Sequence, residues 1–172
     1  MSWAAVAILA YVTLERLAEL ALAERNTRRL LASGAREHGR GHYPAIFAVH
    51  AAWIVTLWLL ATGREVDFFW LAMFVLLQFA RFWVIATLGP RWTTRIIVVP
   101  DAPLVNEGPY RWLNHPNYWI VMGEIAVLPL VFGLPWVALA FTVLNAIVLW
   151  VRVREENRAL ASSRCNDQGR TP

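Results

Sequence analysis

Long apolar runs constrain this chain more than any other feature of its sequence. Scanned at the length of a membrane crossing, the sequence contains four such runs: Trp3–Ala23, Tyr43–Thr62, Phe68–Leu88 and Trp119–Trp150. A helix needs about 20 apolar residues to cross a bilayer, so each of the first three runs matches one crossing. Hydrophobic residues make up 58% of the chain, more than in typical soluble domains. We therefore predict an integral membrane protein built from helices.

The fourth run is too long for one crossing and contains residues that break helices. Pro129, Gly133 and Pro135 interrupt it, and proline and glycine both destabilise a helix interior. We interpret the run as two helices joined by a tight turn at Phe132–Leu134. The predicted fold is all-α, with about five transmembrane helices, the last two forming a hairpin. No signal peptide is expected, because acidic residues lie within the first run and no basic segment precedes it.

The placement of the sixteen basic residues, all of them arginine, predicts the topology. Thirteen fall between the first and second runs, between the third and fourth, or after the last, whereas the alternate connections hold only Arg64. The positive-inside rule places the N-terminus outside and the C-terminus in the cytoplasm. This orientation and anionic headgroups explain the pI near 10.0, so no nucleic-acid partner is expected.

The domain organisation is simple. Residues 1–161 are predicted to form one transmembrane domain, followed by a flexible polar tail at residues 162–172. Cys165 is alone in that tail, which excludes a disulfide framework. His38 and His42 are four residues apart, but two intervening glycines make a shared helix face doubtful. Loop polarity, or a helix that starts near His42, explains the stretch better than a metal site, so no metal is expected.

Charged residues inside the apolar runs need partners. Glu15, Arg16 and Glu19 lie in the first run and Arg81 lies in the third. At about 1.5 Å per residue, Glu15 and Arg81 both lie roughly 10 Å from the cytoplasmic ends of their helices. An ion pair between Glu15 and Arg81 is therefore predicted as a structural contact. A functional role is the alternative, because charges within membranes are candidates for function.

A polar segment precedes the fourth run and reads G-P-Y-R-W-L-N-H-P-N-Y over residues 108–118. Its prolines prevent one continuous helix, while Pro116 suits the first turn of the next span. Free amides at that helix start can bind a carboxylate. Tyr110 and Tyr118 could stack on an aromatic base or serve as anchors at the membrane interface.

A second polar cluster lies at the end of the last span. Asn145, Leu149, Arg152 and Glu156 are spaced so that they share one helix face. This face is either an ordinary solvated helix end with an Arg–Glu pair or one wall of a ligand site. Both clusters fall on the cytoplasmic side by the arginine distribution, so together they could enclose one ligand.

At these residues the chain resembles the isoprenylcysteine carboxyl methyltransferase family, small integral-membrane enzymes that use S-adenosylmethionine. The family's pattern runs L-V, then G-x-Y-x-x-x-R-H-P-x-Y, then R-I-x-x-E-E-x-x-L after the last hairpin. This sequence has L-V at 104–105, G-P-Y at 108–110, H-P-N-Y at 115–118 and R-V-R-E-E-N-R-A-L at 152–160. The resemblance covers about residues 100–160 and is consistent with five spans.

The resemblance implies a role for particular residues. Those it assigns to the S-adenosylmethionine site are Ala102, Pro103, Leu104, Val105, Tyr110, His115, Pro116, Asn117, Tyr118 and Glu156. It places Arg152 against the substrate. Two positions depart from the pattern, because Asn114 replaces an arginine and Asn157 stands where a second glutamate is expected.

The stretch R-E-H-G-R-G-H-Y-P at residues 36–44 is similar to a bacterial branch of the family. That branch is associated with type III polyketide synthases and methylates alkylpyrones or alkylresorcinols at oxygen. The resemblance implies an O-methyltransferase in a bacterial inner (cytoplasmic) membrane, with its active site facing the cytoplasm. A lipophilic carboxylate or phenol/enol substrate would reach it from the bilayer, with membrane lipids as further partners. The alternatives are a phospholipid N-methyltransferase and a non-catalytic scaffold or transporter subunit.

Overall fold

The computed structural model describes residues 3–38, 43–99, 105–113 and 115–168, with side chains up to residue 155. Five long helices dominate it: α1 (Trp3–Ala32), α2 (Tyr43–Ala61), α3 (Phe68–Leu88), α4 (Pro116–Val131) and α5 (Pro135–Gln168). The predicted all-α class is confirmed for this part of the chain.

The break predicted in the fourth apolar run is present at the predicted residues. α4 ends at Val131, α5 begins at Pro135, and Gly133 between them has a φ of 64°. Residues with a Cβ rarely adopt this φ, which explains the glycine in the turn. The two helices therefore form the expected hairpin. α5 continues to Gln168, into the segment predicted to be a flexible tail.

By length and composition, three helical segments of the described chain qualify as membrane spans: Tyr43–Ala61, Phe68–Arg91 and Pro135–Glu155. They contain α2, α3 and the first part of α5. α4 is apolar but only 16 residues long. α1 is long, but Glu15, Arg16 and Glu19 lie close together within it. The chain is thus an integral membrane protein, while the crossings assigned to α1 and α4 stay predictions.

Two short strands, which the sequence did not predict, pair between the helix connections. β1 (Arg36–His38) follows α1, and β2 (Ile96–Val98) follows α3. They pair antiparallel, with Arg36 opposite Val98 and His38 opposite Ile96. The strands are distant in sequence, so their pairing ties the α1–α2 connection to the α3–α4 connection.

Contacts between connections define the two ends of the helix bundle. At one end, the backbone N–H of Asp67 donates to the carbonyl of Val131 at 2.8 Å, which joins the α2–α3 and α4–α5 turns. At the other end, Asn26 of α1 donates through Nδ2 to the carbonyl of Trp92 at 2.9 Å. Tyr118 at the start of α4 contacts α5 at this same end. We call the second end, with the two strands, the polar end.

The buried apolar residues form two groups along the bundle. The larger one holds Trp53 and Leu57 of α2, Phe74 of α3, and residues of α1, α4 and the α4–α5 turn. The smaller one lies near the polar end and contains Ala23, Val84, Trp92 and Ile120. Large apolar side chains also remain exposed on the outside of the helices, as expected for surfaces that face lipid.

The prediction of an ion pair between Glu15 and Arg81 is wrong in its choice of glutamate. Arg81 donates through Nη2 to Glu19 Oε2 at 2.6 Å and through Nη1 to Glu124 Oε2 at 2.9 Å. Arg16 Nη1 donates to Glu19 Oε2 at 2.9 Å, and its Nη2 to Glu124 Oε2 at 2.8 Å. Glu15 lies 3.9 Å from Arg16 instead. We call Arg16, Glu19, Arg81 and Glu124 the charge network.

Candidate functional site

Arg152 of α5 and Tyr118 of α4 are in direct contact. Arg152 Nε donates to the Tyr118 hydroxyl at 2.8 Å, and the guanidinium carbon lies 5.4 Å from the centre of the Tyr118 ring. Arg152 is only 9% exposed. The polar segment before α4 and the polar face of α5, two separate predictions from the sequence, therefore meet at this contact.

A second hydrogen bond fixes the Arg152 side chain. Its Nη1 donates to the backbone carbonyl of Thr94 at 2.7 Å. The Thr94 hydroxyl in turn lies 3.2 Å from the hydroxyl of Tyr43, at the start of α2. Sequence reasoning missed Thr94, because a backbone acceptor carries no residue-type signal. The segment that follows α3 thus takes part in positioning Arg152.

Arg152 has no acidic partner in the described part of the chain. Both of its hydrogen bonds go to uncharged oxygens, those of Tyr118 and Thr94. A buried cation held by neutral acceptors keeps its full charge and attracts an anion or a developing negative charge. The side chain of Glu156, the acidic member of the predicted Arg–Glu pair, lies outside the described residues, so the interpretation of this face as an ordinary solvated helix end stays an alternative.

The predicted polar face of α5 continues inward from Arg152. Asn145 and Leu149 are both buried on it, as the helical spacing predicted. Asn145 Nδ2 lies 3.4 Å from the sulfur of Met122 in α4. This face is therefore directed at α4 and not at solvent or lipid.

The start of α4 carries an aromatic pair. The rings of His115 and Tyr118 are stacked, with centroids 5.2 Å apart and planes inclined by 13°. Pro116 occupies the first helical turn, and His115 makes no side-chain capping bond to the helix start. Asn117 Oδ1 is buried and has no hydrogen-bond partner among the described residues. This arrangement could receive a ligand that has an aromatic ring and polar groups.

Gly108 and Tyr110 attach the polar segment to the bundle. Gly108 has a φ of 54°, and a Cβ placed on it would lie 2.6 Å from Thr87 Oγ1. The glycine is therefore needed both for its backbone conformation and for close packing on α3. Tyr110 is half-buried and packs against the smaller apolar group, which includes Val84 and Trp92. Its ring supports the site from the side of α3.

The structure describes only some of the remaining residues that were predicted to form the site. Val105 is described and half-buried. Ala102, Pro103, Leu104 and Asn114 lie outside the described residues. The backbone of Glu156 lies in α5, one turn after Arg152, but its side chain is outside the described part, as is that of Asn157.

The structure offers no support for a metal centre within the described residues. No group of three or more His, Cys, Asp or Glu side chains is arranged to hold an ion there. His42 lies outside those residues, and α2 begins beside it at Tyr43. The helix start suggested for this stretch is therefore confirmed.

Asn26 is a further polar residue that the sequence did not single out. It is 2% exposed, and its Nδ2 donates to the carbonyls of Gly89 at 3.2 Å and Trp92 at 2.9 Å. Asn26 of α1 thus binds the segment that follows α3. The same segment contains Thr94, whose backbone carbonyl accepts a hydrogen bond from Arg152. The only feature of the sequence that could have indicated Asn26 is its position on α1, two helical turns after Glu19.

Comparison with known protein families identifies one that matches the part of the chain containing the candidate site. The model of the isoprenylcysteine carboxyl methyltransferase (ICMT) family matches residues 70–162. That range includes α4 and the part of α5 that carries Arg152. No solved structure matches the chain significantly.

Two relatives match nearly the whole chain. An uncharacterized protein of Bacillus subtilis strain 168, YpbQ, is 37% identical over 165 residues, covering 93% of this chain and 96% of its own. An uncharacterized protein of Haemophilus influenzae is 24% identical over 152 residues, covering 85% of this chain and 88% of its own. With more than half of its residues matched by the family model, the chain belongs to the isoprenylcysteine carboxyl methyltransferase family, a family of membrane methyltransferases.

Proposed function

We propose that the protein is an S-adenosylmethionine-dependent methyltransferase that methylates an oxygen atom of a lipophilic substrate. One observation carries this proposal: the hydrogen bond between Arg152 and Tyr118. It joins the helix start expected to bind the cofactor to the arginine expected to face the substrate. Family membership provides the class of reaction, and this contact provides a location for it.

The residues at the start of α4 fit S-adenosylmethionine. The stacked rings of His115 and Tyr118 offer an aromatic surface for adenine. Asn117 Oδ1, which has no partner within the described residues, can accept a hydrogen bond from the ligand. When bound, S-adenosylmethionine supplies a methyl carbon on a positively charged sulfur.

Arg152 favours an oxygen acceptor over a nitrogen acceptor. Within the described residues the Arg152 guanidinium has no carboxylate partner, and such a group attracts an oxyanion and donates a charge-assisted hydrogen bond to it. The same cation repels a protonated amine. Its two hydrogen bonds hold the side chain in one orientation, and alignment of this kind contributes much of the rate in a displacement reaction. O-methylation is therefore better supported than N-methylation of a phospholipid.

The membrane setting completes the proposal. We place the polar end at the cytoplasmic face of a bacterial inner membrane, because thirteen of the sixteen arginines lie in segments that lead to this end. The cofactor then comes from the cytoplasm, while the acyl or prenyl chain of the substrate comes laterally from the lipid. Exclusion of water at this boundary assists charge neutralisation between the oxyanion and the sulfonium.

Two measurements on the purified protein test the proposal. S-adenosylhomocysteine should raise the melting temperature in a concentration-dependent manner. Lipid extracts incubated with methyl-labelled S-adenosylmethionine should yield labelled O-methyl products. Labelled N-methyl phospholipids would instead support the phospholipid alternative. Indifference to millimolar S-adenosylhomocysteine would support a scaffold or transporter subunit.

A further inference from the structure

The stretch R-E-H-G-R-G-H-Y-P at residues 36–44 precedes the part of the chain that the family model matches, which begins at residue 70. The structure describes both ends of this stretch. Glu37 lies in β1, and Tyr43 is the first residue of α2. Both residues contact the segment that follows α3, whose Thr94 carbonyl binds Arg152. A part of the chain outside the matched region therefore reaches the candidate site.

Tyr43 contacts both residues that flank one peptide bond. Its hydroxyl lies 3.2 Å from the Thr94 hydroxyl, and the guanidinium carbon of Arg95 lies over its ring, 5.3 Å from the centroid. The face of an aromatic ring attracts a cation at this distance. The carbonyl of the Thr94–Arg95 peptide bond accepts the hydrogen bond from Arg152 Nη1. Tyr43 therefore restrains the side chains on either side of the carbonyl that Arg152 binds.

Arg95 is also held by two other elements. Its Nη1 lies 3.5 Å from a carboxylate oxygen of Glu37 in β1, and its Nη2 lies 3.4 Å from one of Glu24 in α1. The pairing of the strands supports this arrangement, because Glu37 stands opposite Ile97, two residues after Arg95. The charge of Arg95 is thus balanced within the protein, and its side chain anchors the Thr94–Arg95 peptide.

Two hydrogen bonds determine the direction of the third nitrogen of Arg152. Nε donates to the Tyr118 hydroxyl and Nη1 to the Thr94 carbonyl, while no described residue accepts from Nη2. A guanidinium is planar and rigid, so fixing two of its nitrogens also fixes the third. If the Thr94 carbonyl moved, the guanidinium would be held only at Tyr118 and Nη2 would lose its defined direction.

We propose that Tyr43 is a positioning residue for the methyl transfer, because it holds the Thr94–Arg95 peptide so that Arg152 Nη2 faces the substrate oxygen. This inference rests on the proposed function. Tyr43 acts only through Arg152 and needs no contact with either ligand. Loss of alignment at the reacting oxygen lowers turnover more than it lowers binding, because the interaction matters most in the transition state.

The first test removes the two contacts of Tyr43 in steps. Tyr43→Phe loses the hydroxyl but keeps the ring, whereas Tyr43→Leu loses both. Tyr43→Phe should lower kcat for methyl transfer to a lipophilic phenol about 2- to 10-fold, the effect of one hydrogen bond. Tyr43→Leu should lower kcat further, to roughly 5- to 70-fold below the wild type. The KM for the phenol and the affinity for S-adenosylhomocysteine should change much less than kcat.

The second test determines whether the effect passes through Arg152. Arg152→Met removes the guanidinium that binds the Thr94 carbonyl. When Tyr43→Leu is added to Arg152→Met, the remaining turnover should not fall further. The effect of Tyr43→Leu on the melting temperature should persist in both backgrounds, because its contacts with Thr94 and Arg95 are lost in either. The same fractional loss of turnover in both backgrounds would indicate a purely structural role and would overturn the proposal.

Thr13→Val is the matched control, because it also removes a side-chain hydrogen bond of α2. Trp58 Nε1 donates to Thr13 Oγ1 at 3.1 Å. Trp58 follows Tyr43 by fifteen residues, so this bond lies about 22 Å further along α2, away from the polar end. Thr13→Val should lower the melting temperature but not kcat. An equal loss of kcat in Thr13→Val and Tyr43→Phe would assign the effect to looser packing of α2 and contradict the proposal.

If Tyr43→Leu does not fold, Thr94→Val decides, because it removes the same hydroxyl contact and keeps the backbone carbonyl. Thr94→Val should lower kcat as much as Tyr43→Phe, and the double variant should be no worse than either. Additive losses, or no loss in either single variant, would overturn the role of Tyr43 while methyl transfer itself stands. A wild-type protein that neither binds S-adenosylhomocysteine nor methylates any acceptor would overturn the proposed function, and this inference with it.

Discussion

The charge network and the Arg152 site differ in the partners of their buried guanidinium groups. In the network, Arg16 and Arg81 both contact the carboxylates of Glu19 and Glu124, and Arg16 also lies 3.9 Å from Glu15. At the polar end, Arg152 contacts only neutral oxygens within the described residues. A guanidinium with carboxylate partners has its charge met by the protein itself. A guanidinium with neutral partners retains charge for a ligand, so burial alone does not identify a functional arginine.

The largest expected effect is on stability, in the charge network. Arg81→Met leaves Glu124, which is 1% exposed, without one of its two guanidinium partners. Removing one member of a buried ion pair typically costs about 3–5 kcal/mol of folding free energy. Thermal and denaturant unfolding in detergent micelles should therefore show a marked loss of stability.

Arg152→Met provides the contrast for this experiment, since no described carboxylate loses a partner when it is replaced. It should unfold closer to the wild type than Arg81→Met does. If the two variants were equally stable, and Arg81→Met lost only activity, the division into a structural and a functional arginine would be wrong.

The second prediction concerns the rate of methyl transfer. Arg152→Gln keeps a polar side chain but removes the charge that we expect to stabilise the attacking oxygen. Loss of one such donor typically lowers turnover about 10²–10³-fold. The assay is transfer of labelled methyl from S-adenosylmethionine to a lipophilic phenol, with S-adenosylhomocysteine affinity measured beside it.

Arg154→Gln is the matched control, because Arg154 is exposed and its guanidinium lies 3.6 Å from the centre of the Trp150 ring. It should retain wild-type turnover. Equal loss in both variants would indicate a general effect of positive charge on α5 and would count against a specific role for Arg152.

The sequence predicted this contrast only in part. Proline and glycine marked the α4–α5 turn, and the charges of α1 and α3 indicated that these helices pair. Glu15 and Glu19 lie one helical turn apart on α1, so both are on the same face. Their spacing alone does not determine which of them contacts Arg81, because that depends on how α1 packs. Glu124 was overlooked inside an apolar run. Asn26 and Thr94 act through backbone carbonyls, and such contacts depend on tertiary packing that no local pattern encodes.

A third prediction tests how α1 contributes to the Arg152 site. Asn26→Asp preserves size but replaces the amide donor with an acceptor facing the carbonyls of Gly89 and Trp92. The loss of a buried donor should cost about 1–3 kcal/mol and displace the segment that holds Arg152. Turnover should fall while S-adenosylhomocysteine binding changes less, because the contact with Tyr118 does not involve this segment.

Thr27→Val is a demanding control for the Asn26 variant. Thr27 is the next residue and equally buried, but its hydroxyl makes no hydrogen bond within the described structure. It should be neutral or slightly stabilising. Loss of activity in Thr27→Val would mean that any polar change in this part of α1 disturbs the site, and the specific role of Asn26 would be lost.

The smallest expected effect concerns the contact on which the site depends. Tyr118→Phe keeps the ring stacked on His115 but removes the hydroxyl that accepts from Arg152. A hydrogen bond of this kind contributes about 0.5–1.5 kcal/mol, so turnover should fall by roughly 2- to 13-fold, since about 1.4 kcal/mol corresponds to a factor of ten. Because the hydroxyl is expected to act by orienting Arg152, Tyr118→Phe should have little further effect when added to Arg152→Gln. Additive losses would instead assign Tyr118 a separate role, such as direct contact with the cofactor, and would weaken the link between the two polar clusters.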